Sequence, residues 1–389
     1  MTVIWTPQLD ETAAKWQALA ERLGRERFGP LAEELDREQR YPWETIEALV
    51  EHKFTGLFLP REYGGEGQSL LTTVAAVETL GMHCSSTAAI MCAYQLGAFP
   101  ILLAGSAAQK NFYLREMTQG RATSFALSER VAGSDAAAID ATAVREGDGW
   151  RLRGEKYWIG NGGAARYYVV FAKTDPAAGG RGISAFMVDK EQPGAVIDEL
   201  SDKMGIRGTQ TSNLKLDLVV PDSARVGEVN HALRLALQTL NVGRIMVSAQ
   251  SLGLALAAYR EASRRAVERK TFGRPIIENQ GIGFLLADMV TEISAARMVL
   301  YEAARVYDNG GDVASLGAMA KLYSSEVAHR AADNAVQIWG GLGYCKPTVA
   351  ERLYRDQRIL EIYEGSSEIQ RFVLARAVRQ EVEGIQLQL

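Results

Sequence analysis

Cysteine and histidine are scarce in this 389-residue chain, and each shortage narrows the chemistry open to it. Three cysteines (Cys84, Cys92, Cys345) are too few and too scattered for a disulfide framework or a CxxC metal site. Four histidines (His52, His83, His231, His329) show no HExxH or paired spacing, so no metal is expected. An excess of one charge is also missing. A net charge of -4 and a pI near 5.8 remove any broad electrostatic case for nucleic-acid binding. The apolar stretch around Ala88–Leu103 is broken by polar residues and a proline, and reads as too short for a membrane span. The opening residues MTVIWTPQLDETAAKW turn acidic and amphipathic at once, unlike a secretory signal. These absences point to a cytoplasmic protein in a reducing compartment.

Motif absences exclude common enzymes. There is no GxxxxGK phosphate loop and no GxSxG nucleophile elbow. Gly341-Leu-Gly343 lacks the third glycine of a dinucleotide fingerprint and lies between helical segments.

What is present falls into three zones: 1–121, 122–229 and 230–389. The first is rich in Ala, Leu and Glu at helical spacing, with Pro42 at a helix start and a glycine loop at Glu62–Gly67. In the second, Leu214, Leu216 and Leu218 alternate with Lys215 and Asp217, and Trp150 and Leu152 with Arg151 and Arg153. That period reads as a small, mostly antiparallel sheet. In the third, Leu285, Met289, Ile293, Ala296 and Leu300 step by three or four, as one buried helical stripe requires. Asn309–Asp312 breaks two such helices, and Ser367 with Gln370 has capping-box spacing. The fold class is therefore α+β, mostly α, with helices before and after a central sheet.

Four segments carry candidate chemistry, each with a plain structural alternative. Ala126-Leu-Ser-Glu-Arg-Val-Ala-Gly-Ser-Asp135 has small residues for close backbone approach, and equally the composition of a turn. Gly154-Glu-Lys-Tyr-Trp-Ile-Gly-Asn161 sets an aromatic between glycines, over a flat ligand or as an ordinary strand. Arg269-Lys-Thr-Phe-Gly273, with Gln280, would grip a pyrophosphate or satisfy the last carbonyls of a helix. Ile362-Tyr-Glu-Gly-Ser-Ser-Glu-Ile-Gln370 places Glu364 just before a helix, as a dipole partner or as a general base in a dry cleft.

In this order the four segments resemble the acyl-CoA dehydrogenase family, flavoproteins that introduce a double bond α,β to an acyl thioester. The likeness runs from Pro60-Arg-Glu-Tyr-Gly-Gly65 to Arg376 and includes Lys203-Met-Gly-Ile-Arg207 and Val336-Gln-Ile-Trp-Gly-Gly-Leu-Gly-Tyr344. It implies an N-terminal helical domain, a central β-domain and a C-terminal four-helix bundle, with FAD between the last two. It assigns the isoalloxazine to Phe125, Leu127, Ser128, Trp158, Ile159 and Gly160. Ser134 would reach flavin phosphate and thioester. Arg269, Thr271, Phe272 and Gln280, with Gln337, Gly340 and Gly341, would hold the nucleotide half from a neighbouring subunit. Ser366 and Glu368 would touch FAD again. Asn241, Arg244, Tyr363 and Gly365 fall on the substrate side.

Glu364 matches the family's base. Some relatives carry the base immediately before Arg244 instead, where this chain has Gly243. The family usually has a hydroxyl residue at Gly160, a proline at Arg130 and often an aspartate at Asn241. Those three departures leave open a carrier-protein thioester substrate, or an oxygen-using oxidase or monooxygenase on the same fold. The default implied is acyl-CoA as substrate, an electron-transferring flavoprotein as acceptor, and a homodimer or homotetramer.

Overall fold

A computed structural model of the chain describes residues 3–386. Seven helices come first: α1 (Glu11–Leu23), α2 (Gly29–Glu38), α3 (Trp43–Glu51), α4 (Leu70–His83), α5 (Ser85–Ala104) and two short turns, α6 (Ala107–Gln109) and α7 (Arg115–Thr118). Local chemistry sets their starts: the Asp10 carboxylate accepts from Ala13 N–H, and Ser69 Oγ accepts from Thr72 N–H. α4 and α5 are apolar nearly all round, and both are buried over most of their length.

The α5 helix corrects one expectation. It runs unbroken for 20 residues with Pro100 inside it, so the proline does not divide the apolar stretch. Ser85–Ala104 and the later helix Ala232–Glu268 are long and apolar enough to cross a membrane by length and composition. The most apolar windows of the two are 67% and 89% buried inside the protein. Packing among neighbouring helices accounts for their apolarity.

The central sheet follows: β1 (Thr123–Ala126), β2 (Thr142–Glu146), β3 (Gly149–Ile159), β4 (Tyr167–Lys173), β5 (Ile183–Asp189), β6 (Ala195–Leu200), β7 (Ser212–Pro221) and β8 (Arg225–Val226). Its order is β6-β7-β3-β2-β4-β5-β8, with β1 paired parallel to β4 and most other pairs antiparallel. Leu214, Leu216 and Leu218 are buried while Lys215 and Asp217 are exposed, as the alternation requires. β4 is instead buried on both faces from Tyr167 to Ala172, so it reads as a continuous apolar run.

Four long helices then pack together: α8 (Ala232–Glu268), α9 (Gln280–Asp308), α10 (Ala314–Trp339) and α12 (Ser367–Gln386). A short hairpin, β9 (Lys270–Thr271) and β10 (Arg274–Pro275), joins α8 to α9, and α11 (Val349–Gln357) precedes α12. α8 is the axis of the molecule, packed against α4, α5, α9, α10 and α11. Close approach of α4 and α8 depends on two glycines: a Cβ on Gly253 would meet Gly81 Cα at 2.9 Å and Glu78 O at 2.3 Å.

Candidate active site

Glu364 lies in the turn before α12, and both it and Gly365 have left-handed backbones, with φ of 56° and 89°. For a glutamate that conformation is disfavoured by roughly 1–2 kcal/mol, so surrounding contacts must hold it. Three hydrogen bonds do so. Gln370 Nε2 donates to the carbonyls of Glu364 (3.1 Å) and Gly365 (2.7 Å), and Lys321 Nζ donates to the Gly365 carbonyl at 2.8 Å. Glycine suits position 365 because its φ of 89° is one that side chains rarely adopt.

The Glu364 carboxylate points inward. Its Oε2 is enclosed and accepts no hydrogen bond among the described residues. A Cβ built on Gly243 would stand 2.7 Å from that oxygen and 3.1 Å from Leu96 Cδ1. The two positions that the resemblance implies for a base therefore converge on one spot, and Gly243 leaves the room that Glu364 fills. Desolvation raises the Glu364 carboxyl from 4.5 to about 7, against the opposing pull of Arg244 and Lys321. Arg244 is buried, its guanidinium losing basicity to desolvation; Nη1 donates to Asn241 Oδ1 at 2.9 Å, and Nε has no partner. Tyr363 turns its hydroxyl away, to Gln250 Oε1 at 2.5 Å. The peptide N–H of Glu364 has no acceptor among the described residues.

The β-domain supplies a second wall, and two segments distant in sequence are tied together there. Tyr157 N–H donates to the Ser128 carbonyl at 2.9 Å. Lys156, fully buried, donates from Nζ to Leu127 O (3.1 Å) and to the Glu129 carboxylate (2.6 Å). Glu129 in turn accepts from the backbone N–H groups of Asp140 and Ala141. This buried pair fixes the Leu127–Glu129 loop against the end of β3. There the strand bulges, Trp158 takes φ +57°, and the residue is left 58% exposed while Ile159 is buried. A Cβ on Gly160 would meet only Ala93 Cβ, at 3.9 Å, so the space beside it is open. Phe125 packs on Phe171 with ring centroids 4.8 Å apart. The exposed aromatic and the open glycine beside it suit the flat ring system of FAD.

Other proposed residues lie elsewhere in the chain's own fold. Ser134 is exposed, as is Arg130 in the tight turn where Glu129 and Ala132 exchange backbone hydrogen bonds. Arg269, Thr271 and Phe272 form the α8–α9 hairpin; Phe272 is 99% exposed at its tip, with φ +51°. Gln280 begins α9, and Gln337, Gly340 and Gly341 end α10, all exposed. These groups share one end of the bundle, where the Arg265 guanidinium sits 5.1 Å from the Trp339 ring centroid. Along α8, twenty-five positions separate Arg244 from Arg269, about 37 Å at the helical rise. They are not brought to Glu364 within one chain. Ser366 lies near the base turn and bonds the Glu368 carboxylate, holding it below its usual range.

The capping-box expectation is corrected. Ser367 is inside α12, its Oγ is buried without a partner, and Gln370 spends its amide on the base turn. Sequence reasoning also missed Lys321, the charged member of the otherwise small, buried α10 stripe Gly317, Ser324, Ala328, Ala331. Charge within a buried stripe was the available signal.

Comparison with known proteins adds independent findings. Profiles of the acyl-CoA dehydrogenase N-terminal, middle and C-terminal domains match residues 10–121, 124–219 and 230–379. The short-chain specific acyl-CoA dehydrogenase of Mus musculus mitochondria is 40% identical over 377 residues, covering 96% of this chain and 92% of its own. A 3-(aryl)acrylate reductase of Clostridium sporogenes is 41% identical over 366 residues, covering 92% and 96%. The solved structure of butyryl-CoA dehydrogenase from Megasphaera elsdenii superimposes with a TM-score of 0.94 at 36% identity, covering 96% of this chain and all of that one (100%).

Proposed function

This chain belongs to the acyl-CoA dehydrogenase family, and from that premise we propose that it removes the α-proton and β-hydride of an acyl-CoA thioester, with Glu364 as the base. The observation that carries the assignment is the enclosed, unpartnered Oε2 of Glu364. A carboxylate in water is far too weak for an α-proton. Enclosure raises its proton affinity towards neutral pH, and the proton arrives at an oxygen with no competing partner. The acceptorless N–H of Glu364 is a donor for the thioester oxygen, where negative charge develops as the proton leaves. Gly365 takes the left-handed backbone that shapes the turn, and Arg244 adds positive potential at the carboxylate.

FAD, when bound, supplies the acceptor for the hydride. Phe125, Leu127, Ser128, Trp158, Ile159 and Gly160 would hold its ring on one chain. Arg269, Thr271, Phe272, Gln280, Gln337, Gly340 and Gly341 would reach the cofactor of a neighbouring subunit. That sharing implies a homodimer or a homotetramer, and an electron-transferring flavoprotein would reoxidise the flavin.

The test is anaerobic titration of the holoenzyme with a panel of acyl-CoA thioesters, following flavin bleaching, with the reverse direction assayed on enoyl thioesters. Glu364→Gln should keep its flavin and lose at least ~10³-fold in turnover, at or somewhat beyond the low end of what an acid–base group contributes. Near-normal turnover in that variant would remove the assignment.

A further inference from the structure

Lys321 is the least expected charge in the molecule. It is 0% exposed, midway along the first half of α10, and makes no ion pair within 4 Å among the described residues. Its ammonium has three donors; one meets the Gly365 carbonyl at 2.8 Å, and the other two find no acceptor among the described residues. A methionine or leucine would fill the same space without the cost of burying a charge. The stripe around it, Gly317, Ala318, Ser324, Ser325 and Ala328, is small and neutral, so packing does not ask for a lysine.

Its surroundings do. The one backbone group it holds belongs to the left-handed turn that carries Glu364, and the charges that act on Lys321 most strongly are Glu364 and Arg244, then Glu361 and Glu368. The other ionisable groups that act on Glu364 or feel its charge are Arg244 on α8, Cys92 on α5 and Tyr363 beside it in the turn. Gln370 also grips the turn, but with a neutral amide.

We propose that Lys321 is a positioning residue for the base: it clamps the Gly365 carbonyl so that the Glu364 N–H and carboxylate face the cleft, and its charge keeps the enclosed carboxylate ionisable at working pH. This rests on Glu364 being the base. The clamp and the charge come from a third element, α10, so the turn is held between α10 and α12 rather than by its own helix alone. Burial drives the carboxylate towards its neutral form, and an ammonium behind its backbone offsets part of that drive. Lys321 itself is lowered by desolvation to about 8, so it remains mostly charged across the range in which Glu364 titrates.

The experiment compares wild-type holoenzyme, Lys321→Met, Lys321→Gln, Lys321→Arg and Glu364→Gln in anaerobic flavin reduction by a straight-chain acyl-CoA, from pH 5.5 to 9. Lys321→Met should retain flavin, lose at least tenfold in kcat with KM within threefold, and move the acid limb of kcat/KM up by about one pH unit. Lys321→Arg should bring the limb back towards wild type. If Lys321→Met does not fold, Lys321→Gln carries the same limb shift, because it also lacks the charge. The pH at which the Glu364-dependent part of unfolding stability is lost should move up with the limb, a readout independent of turnover. A limb and kcat unchanged from wild type would overturn the proposal. So would a variant whose melting temperature falls while its limb stays in place, since that is what simple packing loss does. If instead no acyl-CoA thioester bleaches the wild-type flavin, or Glu364→Gln behaves as wild type, the assignment of the base fails and not the clamp alone.

Discussion

At residue 364 the same enclosure acts on two measurable quantities with opposite signs. The carboxyl sits near 7 in the folded chain against 4.5 when exposed, so the native state holds the proton more tightly than the unfolded chain across that interval. Stability from this group is therefore greatest below about pH 4.5 and is lost as pH rises through 7. Wild type should lose up to ~3 kcal/mol relative to Glu364→Gln between pH 5 and 8, from the free energy of a pKa shift of this size. Over the same range kcat/KM should rise, because the base must be ionised. Denaturant unfolding of the two proteins at four pH values checks the first, and a stability difference that does not vary with pH contradicts it. The glutamate was legible in the Tyr-Glu-Gly motif. Its elevated proton affinity was not, because it depends on enclosure by residues such as Leu96 and Gly243, both more than a hundred residues earlier.

Among elements, the join between the β1 loop and β3 depends on a single buried pair. Lys156 and Glu129 meet at 2.6 Å with almost no exposure, and their bonds to Leu127 O and to the N–H groups of Asp140 and Ala141 complete the set. Lys156→Met would leave the carboxylate buried with only backbone donors. Removing one partner of such a pair costs on the order of 3–5 kcal/mol. The variant should unfold at markedly lower denaturant and bind flavin more weakly, since the Leu127–Ser128 ledge loosens; unchanged flavin content would separate the loop from the cofactor site. Lys156 has the parity of Trp150 and Leu152, so the alternation itself turns it inward. The bulge comes after it and shifts which side chains face inward, leaving Trp158 exposed and Ile159 buried. Helix boundaries were more readable: Asn309–Asp312 does separate α9 from α10, and the Leu285–Leu300 stripe does face the core. Pro100 misled in the other direction, since a helix enclosed by neighbours tolerates the lost hydrogen bond that would end an exposed one.

For the whole molecule, the length of α8 is the decisive dimension. Arg244, proposed for the substrate side, and Arg269, proposed for the cofactor, lie ~37 Å apart along it, so one chain does not bring the two together. Exposed Phe272, Phe284, Leu342 and Tyr344 cluster on segments at the hairpin end of the bundle, as an interface between copies would need. Arg269→Ala should fold normally yet retain less than half the flavin of wild type, with a shift towards smaller assemblies on light scattering. Full flavin content at unchanged mass would place that arginine outside the cofactor site.

The order of helical, β and helical zones, the inward faces of the long helices and the identity of the candidate base follow from the sequence by itself, because period and motif are properties of neighbouring residues. The tertiary structure alone decided that Gly243 and Glu364 share one space, that Lys321 reaches the base turn from α10, and that Gln370 serves that turn instead of capping its helix. Such facts are sums of proximity and desolvation over elements far apart in the chain. A stripe reveals which face turns inward and says nothing of what that face will meet.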